Sequence, residues 1–396
     1  AAGTLTVSSP INTGTGAVTL SSLGSVAVSN TITTTGVGGT ITINANTAGA
    51  DADSFTQGAF LISSGDTSAN AVKITVNDAA GATGTAQLDN ITTAAGGSIT
   101  VDTRGQTGTT TTGGSISQTS GKLLTAATGG VTLVTGSTAG IGTAQSAGNN
   151  VNTTTATLAA KAGAGAFVNE TDAVTLDTIN GVVNAGGTGQ YNIQAGGTIT
   201  VGAGGANAPT NTGNTVLIST GGNISIGGNL GNSTGDTTLS AASGINQTGG
   251  MVRANTLTAS GNGLINLSNI LVPTISTVSS NSGGVTLTNT AGAVTVTGVQ
   301  TAGTGRYTLD ASAGTLTTNN TITSTGVTLT ADGALTINQA IDGVSGTVFL
   351  RANQTGTNGA GANFSQGAAG TVTTTSTAGN AVVISVNDPT TGCLLY

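Results

Sequence analysis

The chain contains no histidine and one cysteine, Cys393. The groups behind most acid–base, nucleophilic and zinc chemistry are therefore missing. Neither a serine triad nor a Cys–His pair can be assembled, and a lone thiol closes no internal disulfide. Cys393 reads as an isolated thiol within an atypical tail, residues 390–396. Any chemistry would fall to the carboxylates, whose closest pairings are Asp51 with Asp53, Asp172 with Asp177, and Asp332 with Asp342. Cleaving a glycosidic bond requires two carboxyl groups facing each other across a sugar. Nothing in the spacing places two of these on one strand row, and the later counterpart of the first pair, Gly361-Ala362-Asn363, carries no acid. These residues read as solvated turn positions. Asp51, Asp53 and Asp66 could hold a hard cation weakly through oxygens, but the Gly-Gly-x-Gly-x-Asp nonapeptide of calcium-binding β-rolls is absent. The run Gly202-Ala203-Gly204-Gly205 lacks the Lys-Ser/Thr of a phosphate loop and reads as a turn. No catalytic residue, cofactor or metal is expected.

The elements that would position such groups follow from composition and period. Of 396 residues 66 are glycine, 4 are proline, and only 5% are charged. Threonine, serine, alanine and asparagine fill most other places, yet Val, Ile and Leu recur throughout, which separates the chain from disordered polar sequences. Seven Lys and Arg residues against a net charge of −7, scattered from Lys73 to Arg351, form no track for a phosphate backbone, so nucleic acid is not an expected partner. No apolar run is long enough to span a bilayer as a helix. No charged-then-apolar leader precedes the repeats, as in a mature or excised segment.

Short apolar triplets with a polar centre dominate: Val18-Thr19-Leu20, Ile41-Thr42-Ile43, Val285-Thr286-Leu287, Val294-Thr295-Val296, Tyr307-Thr308-Leu309, Val327-Thr328-Leu329 and Leu335-Thr336-Ile337. A period of two puts the outer side chains on the core face and the central one outside, and Gly, Asn and Ser separate the triplets as turns. One series runs Val285, Tyr307, Val327, Val348; a second Val294, Leu316, Leu335; a third Val299, Ile322, Ile341. Near the start Leu5 leads to Val26, Ile11 to Ile32 and Val18 to Ile41. Three rows repeating about every 21 residues are the arithmetic of an all-β, three-faced parallel β-helix (β-solenoid), three strands per turn. Parallel crossovers favour the right hand. Roughly 19 turns at strand spacing would make a rod about 90 Å long. Residues 1–396 read as one continuous solenoid whose turns lengthen between about 100 and 280.

A longer repeat overlies the short one. Residues 312–389 restate 1–79 about 310 residues later: Ala313-Gly314-Thr315-Leu316-Thr317 answers Ala2-Gly3-Thr4-Leu5-Thr6, Phe364 and Gln366-Gly367-Ala368 answer Phe55 and Gln57-Gly58-Ala59, and Val386-Asn387-Asp388 answers Val76-Asn77-Asp78. Arrays extended by adding units behave so; catalytic domains do not. Neither end shows a helix, proline cluster or charge cluster that would cover open strand edges.

The stretches Gly113-Gly114-Ser115-Ile116-Ser117-Gln118-Thr119 through Gly130-Val131-Thr132-Leu133 to Gly140-Ile141-Gly142-Thr143, and Gly244-Ile245-Asn246-Gln247-Thr248-Gly249-Gly250 before Ala254-Asn255-Thr256-Leu257-Thr258, resemble the repeats of filamentous-haemagglutinin-like, autotransporter-type exoproteins. That resemblance covers most of the chain and implies a right-handed parallel β-helix, exported unfolded to the cell surface or medium. The Asn-Pro-Asn secretion motifs of the family are not present.

Two surface features add alternatives. The outward threonines Thr19, Thr42, Thr286, Thr308 and Thr328, with Thr-x-Thr pairs at Thr286/Thr288 and Thr328/Thr330, have the arrangement of ice-binding faces, although threonine is also the favoured polar residue at an exposed strand centre. Sequons occur at Asn169-Glu170-Thr171, Asn232-Ser233-Thr234 and Asn266-Leu267-Ser268. The reading that results is a non-enzymatic extracellular structural protein. Its core rows are Val18, Leu20, Ile41, Ile43, Val285, Leu287, Val294, Val296, Val327, Leu329, Val348 and Leu350, and its partners are copies of itself stacked head to tail or flanking repeats. The alternatives are an adhesin for surface glycans, an ice-binding protein, and a polysaccharide-acting β-helix enzyme.

Overall fold

The computed structural model describes residues 3–47, 52–77, 82–104, 113–207, 210–355, 362–386 and, as backbone, 393–395. The described residues are all-β with no helix, and their strands pair almost entirely in parallel. Among the described residues no helix is long and apolar enough to cross a membrane. The chain divides into two compact units, 1–217 and 218–396.

The first unit opens with β1 (Leu5–Val7), β2 (Ile11–Thr13), β3 (Val18–Ser21), β4 (Val26–Val28), β5 (Ile32–Thr34), β6 (Ile41–Ala45), β7 (Phe55–Gln57), β8 (Ile62–Ser64), β9 (Val72–Val76), β10 (Ala86–Leu88), β11 (Ile91–Thr93) and β12 (Ile99–Asp102). Each of β1 to β9 pairs in parallel with the strand three places on: β1 with β4, β4 with β7, β7 with β10; β2 with β5, β5 with β8, β8 with β11; β3 with β6, β6 with β9, β9 with β12. Period-two alternation is why this register holds. A slip of one residue would carry every Val and Ile to the wrong face. Core positions Val26, Ile32, Ile41, Ile43, Phe55, Ile62, Val72 and Ile74 are fully buried.

The second unit repeats the scheme. The apolar column Val285, Tyr307, Val327, Val348, Val382 pairs in parallel throughout, as does Val294, Leu316, Leu335, Phe364. The third column differs from expectation. It runs Val278, Gln300, Ile322, Ile341, Val372, so Gln300 and not Val299 faces the core. Gln300 is fully buried and Val299 is 46% exposed.

Spacing between partners also departs from a uniform 21. In the first unit the column Val18, Ile41, Val72, Ile99, Val131 advances by 23, 31, 27 and 32 residues. Within 224–285, where longer turns were expected, Ile224, Ile245, Ile265 and Val285 advance by 21, 20 and 20. Turn length is free because the core depends on the strand columns alone; loops leave at the corners and return to the same row.

The glycines follow from this stacking. A Cβ on Gly84 would lie 1.8 Å from the Asp53 carbonyl oxygen, and one on Gly114 would lie 1.9 Å from the Gly84 carbonyl oxygen. Successive turns touch backbone to backbone there, leaving no room for a side chain. Six described residues other than glycine have positive φ. Five are asparagine (Asn46, Asn77, Asn180, Asn207, Asn353) and the sixth is Val344 at φ 48°. A β-branched residue is strained in that region, whereas Asn tolerates it. Val344→Asn should therefore stabilise the second unit by about 1 kcal/mol. A rise of a few degrees in thermal midpoint would show it; a lower midpoint would count against strain at Val344.

The tail is not a bare end. Its Cys393–Leu395 strand lies antiparallel on Val382–Val386, pairing Ile384 with Leu395 and Val386 with Cys393. It occupies the free N–H and C=O groups of that edge, a blunting device that composition alone did not reveal. The expected match at Asn387-Asp388 lies outside the described residues.

Candidate functional site

The expected core residues Ile41, Ile43, Val285, Leu287, Val296, Val327, Leu329, Val348 and Leu350 are fully buried. Val294 and Val18 are nearly so, and Leu20, in the first triplet, is half-buried. They form apolar columns that carry no chemistry. Many of the polar groups with defined partners lie at the corners between strands and tie one triplet to the next.

Amides do most of this. Asn46 Nδ2 donates to Asn77 Oδ1 at 3.0 Å; Asn77 in turn donates to the carbonyls of Gly84 and Thr103 at 2.7 and 2.9 Å and accepts from the Gly84 N–H at 2.8 Å. Gln57 Nε2 donates to the Phe60 and Asn90 carbonyls, both at 2.8 Å, while its Oε1 accepts from the Asp89 N–H at 3.0 Å. Gln247 repeats the pattern on Gly250, Asn269 carbonyl and Asn269 N–H at 3.1, 3.0 and 3.0 Å. Gln118 accepts from the Asn152 N–H at 2.7 Å. One side chain thus serves three backbone groups that would otherwise be buried without partners. The recurrence of Gln at Gln57, Gln118, Gln247 and Gln366 was visible in the sequence; its role was not.

The carboxylates are used the same way. Asp66, 3% exposed, accepts from the Gly38 N–H at 2.8 Å and the Ser68 N–H at 3.2 Å, and from the Ser68 hydroxyl. Those bonds, the Ser68 hydroxyl first, hold its carboxyl below the usual range. It is committed to a corner and is not offered to a cation. Asp53 accepts from Ser25 Oγ at 2.9 Å, and Asp51 lies outside the described residues. Asp177 accepts from the Thr178 and Gly204 N–H groups at 2.7 and 2.9 Å, so the glycine-rich run at 202–205 is braced by an anion rather than open to one. Asp332 accepts from the Thr355 hydroxyl, and Asp342 accepts from the Val344 N–H at 2.9 Å. Burial, with the Asp332 charge nearby, raises the Asp310 carboxyl against the pull of its 3.0 Å bond from Thr330 Oγ1. Asp172 is exposed in the turn that follows Glu170. No group of three or more acidic or thiol side chains is placed to hold a metal among the described residues.

The outward threonines do not form an unbroken face. Thr19 and Thr42 lead to Lys73 in the same row, and Thr286, Thr308 and Thr328 lead to Phe349. The Arg306 guanidinium sits 5.5 Å from the Phe349 ring centre and donates to Thr328 Oγ1 at 3.1 Å and Thr347 Oγ1 at 2.8 Å. In the second Thr-x-Thr pair Thr330 is buried. Of the sequon asparagines, Asn232 is buried with its oxygen bound by backbone N–H groups. Asn169 and Asn266 are outward and donate to Asn152 and Asn246, each at 3.1 Å.

No protein-family model matches this chain, and no curated protein or solved structure is similar to it.

Proposed function

We propose that the chain is a segment of a right-handed parallel β-helix, three strands per turn, whose work is mechanical: an extracellular or cell-surface rod or fibre built by stacking one turn on the next. The observation that carries this is a contrast between equivalent triplets. Phe55, Ile62 and Val72 are fully buried beneath β10, β11 and β12. Their counterparts Phe364, Val372 and Val382 are only half-buried. Among the described residues Phe364–Gln366 and Val372–Thr373 pair only with the strands before them and offer apolar side chains and edges of the kind that preceding triplets use to receive the next one, while the Val382–Val386 edge is taken by Cys393–Leu395. A flanking repeat or another copy of the chain fits those two strands by the same parallel register. Asn, Gln and carboxylate side chains spent on bonds between triplets support this reading over an enzymatic one.

Negative-stain electron microscopy at neutral pH tests it. Thin filaments that lengthen with protein concentration are expected. Short separate particles at every concentration would overturn head-to-tail stacking of this chain and shift weight to an adhesin passenger.

A further inference from the structure

Four strands end on a glutamine: Phe55–Gln57, Ile116–Gln118, Ile245–Gln247 and Phe364–Gln366. The first three glutamines are buried, and each reaches forward into a later strand or corner. Gln57 accepts from the Asp89 N–H at 3.0 Å and donates to the Asn90 carbonyl at 2.8 Å. Gln247 does both with Asn269, each at 3.0 Å. Gln118 accepts from the Asn152 N–H at 2.7 Å and donates to the Asn152 carbonyl at 3.4 Å. Gln57 and Gln247 also donate backward to their own corners, at the Phe60 and Gly250 carbonyls. Gln366 keeps only that backward bond, to the Gly370 carbonyl. It is exposed, and its Oε1 and second amide N–H meet no partner among the described residues.

The place around Gln366 restates one that is filled. Residues 364–386 answer 55–76 about 310 positions later, and on 55–76 sit Ala86–Leu88, Ile91–Thr93 and Ile99–Asp102. The first triplet of the chain, Leu5–Val7, Ile11–Thr13 and Val18–Ser21, has the same alternation, with Ile-x-Thr as the second strand in both. Its Leu5, Ile11 and Leu20 are half-buried, so it too has an apolar face left open. Ser8 and Ser9 follow Val7 as Asp89 and Asn90 follow Leu88.

We propose that Gln366 is the register clamp for a second copy of this chain. The second copy seats Leu5–Val7 on Phe364–Gln366 and Ile11–Thr13 on Val372–Thr373; its Ser8 N–H donates to Gln366 Oε1, and its Ser9 carbonyl accepts from Gln366 Nε2. This rests on the stacking reading and adds to it the partner, the contact face and the residue that aligns them. A slip of one residue would take both backbone groups away from the amide and turn the apolar side chains outward, so the clamp and the alternation select the same register. Val18–Ser21 takes the Val382–Val386 edge from Cys393–Leu395. Three antiparallel residue pairs then give way to four parallel ones, the number that Val72–Val76 makes with Ile99–Asp102.

Sedimentation equilibrium of the full chain over a concentration series tests this. The wild type should self-associate. Gln366→Leu should associate about 30-fold more weakly, because two backbone groups buried in the junction lose their partner. Its melting should stay near that of the wild type, since Gln366 is exposed in the single chain. An end that recognised its partner by apolar area alone would bind more tightly with that leucine, so the two accounts differ in sign. Ser8→Pro removes the N–H from the opposite face, leaves 364–386 untouched and should weaken association about tenfold; it carries the test independently of how Gln366→Leu folds. The two substitutions break one contact, so the double variant should lose less than the sum of the two. A wild type that associates while both variants associate as tightly overturns the clamp and leaves stacking standing. A wild type that stays monomeric at every concentration removes the stacking reading and the clamp together.

Discussion

Leu329→Asp is expected to unfold the second unit around its centre. Leu329 is fully buried in the column Leu309, Leu329, Leu350 and lies two residues from the equally buried Val327. Removing the leucine forfeits about 2–3 kcal/mol of burial, and the carboxyl that replaces it has no partner in an aliphatic stack. Whether it ionises or takes up a proton, the combined loss is on the order of 5 kcal/mol. That approaches the whole stability of an ordinary domain. In a stacked architecture each triplet relies on its neighbours, so the damage should spread to 307–352. Circular dichroism melts should show the transition lowered by tens of degrees or split in two. Thr286→Asp, on the outward row, should cost no more than about 0.5 kcal/mol. Equal melting of the two variants would refute the register.

Gln300→Leu is the second large effect, and the more diagnostic. Read as a pattern, the column Val278, Gln300, Ile322, Ile341 has one polar intruder, and leucine should improve it. The structure gives the opposite sign. Gln300 Oε1 accepts from the Val278 N–H at 3.0 Å and the Tyr307 hydroxyl at 3.2 Å, while Nε2 donates to the Gly298 carbonyl at 2.6 Å and the Ser276 carbonyl. Leucine would leave these groups without that partner inside the protein. At about 1–3 kcal/mol for each buried group left unpaired, the net loss is on the order of 4 kcal/mol after the gain in apolar burial. Thermal or urea unfolding measures it. A variant as stable as the wild type would mean that Gln300 is a passenger in its column. Val299→Ser, at the exposed neighbour, should be nearly neutral.

These two cases mark how far the sequence can be read. Leu329 was legible because Val327-Thr328-Leu329 has a period of two, and burying one face of such a triplet leaves a single register. Gln300 was not, because Thr297-Gly298-Val299-Gln300-Thr301 offers a valine one place earlier and hydropathy alone selects it. The deciding quantity was the number of backbone groups at that corner in need of partners, which a linear pattern does not contain. Glu170 was hidden for a related reason. In Asn169-Glu170-Thr171 it looks like a surface charge inside a sequon, and only the column Thr153, Glu170, Ala195 makes it a core residue. Asp177, close to Asp172 in sequence, is spent on bracing Gly204.

What the sequence determined by itself was the all-β parallel character, most of the apolar columns and the equivalence of the first and last segments. These follow from alternation and repetition, which are local or periodic and survive variable turn lengths. What only the tertiary structure decided was which polar side chains are spent between triplets, where the threonine rows break, and that the tail lies back on Val382–Val386. Those depend on which residues become neighbours across about 17 to 34 positions of chain. Loops of variable length set that distance, and hydrogen-bond demand at each corner, not hydropathy, selects the residue that fills it.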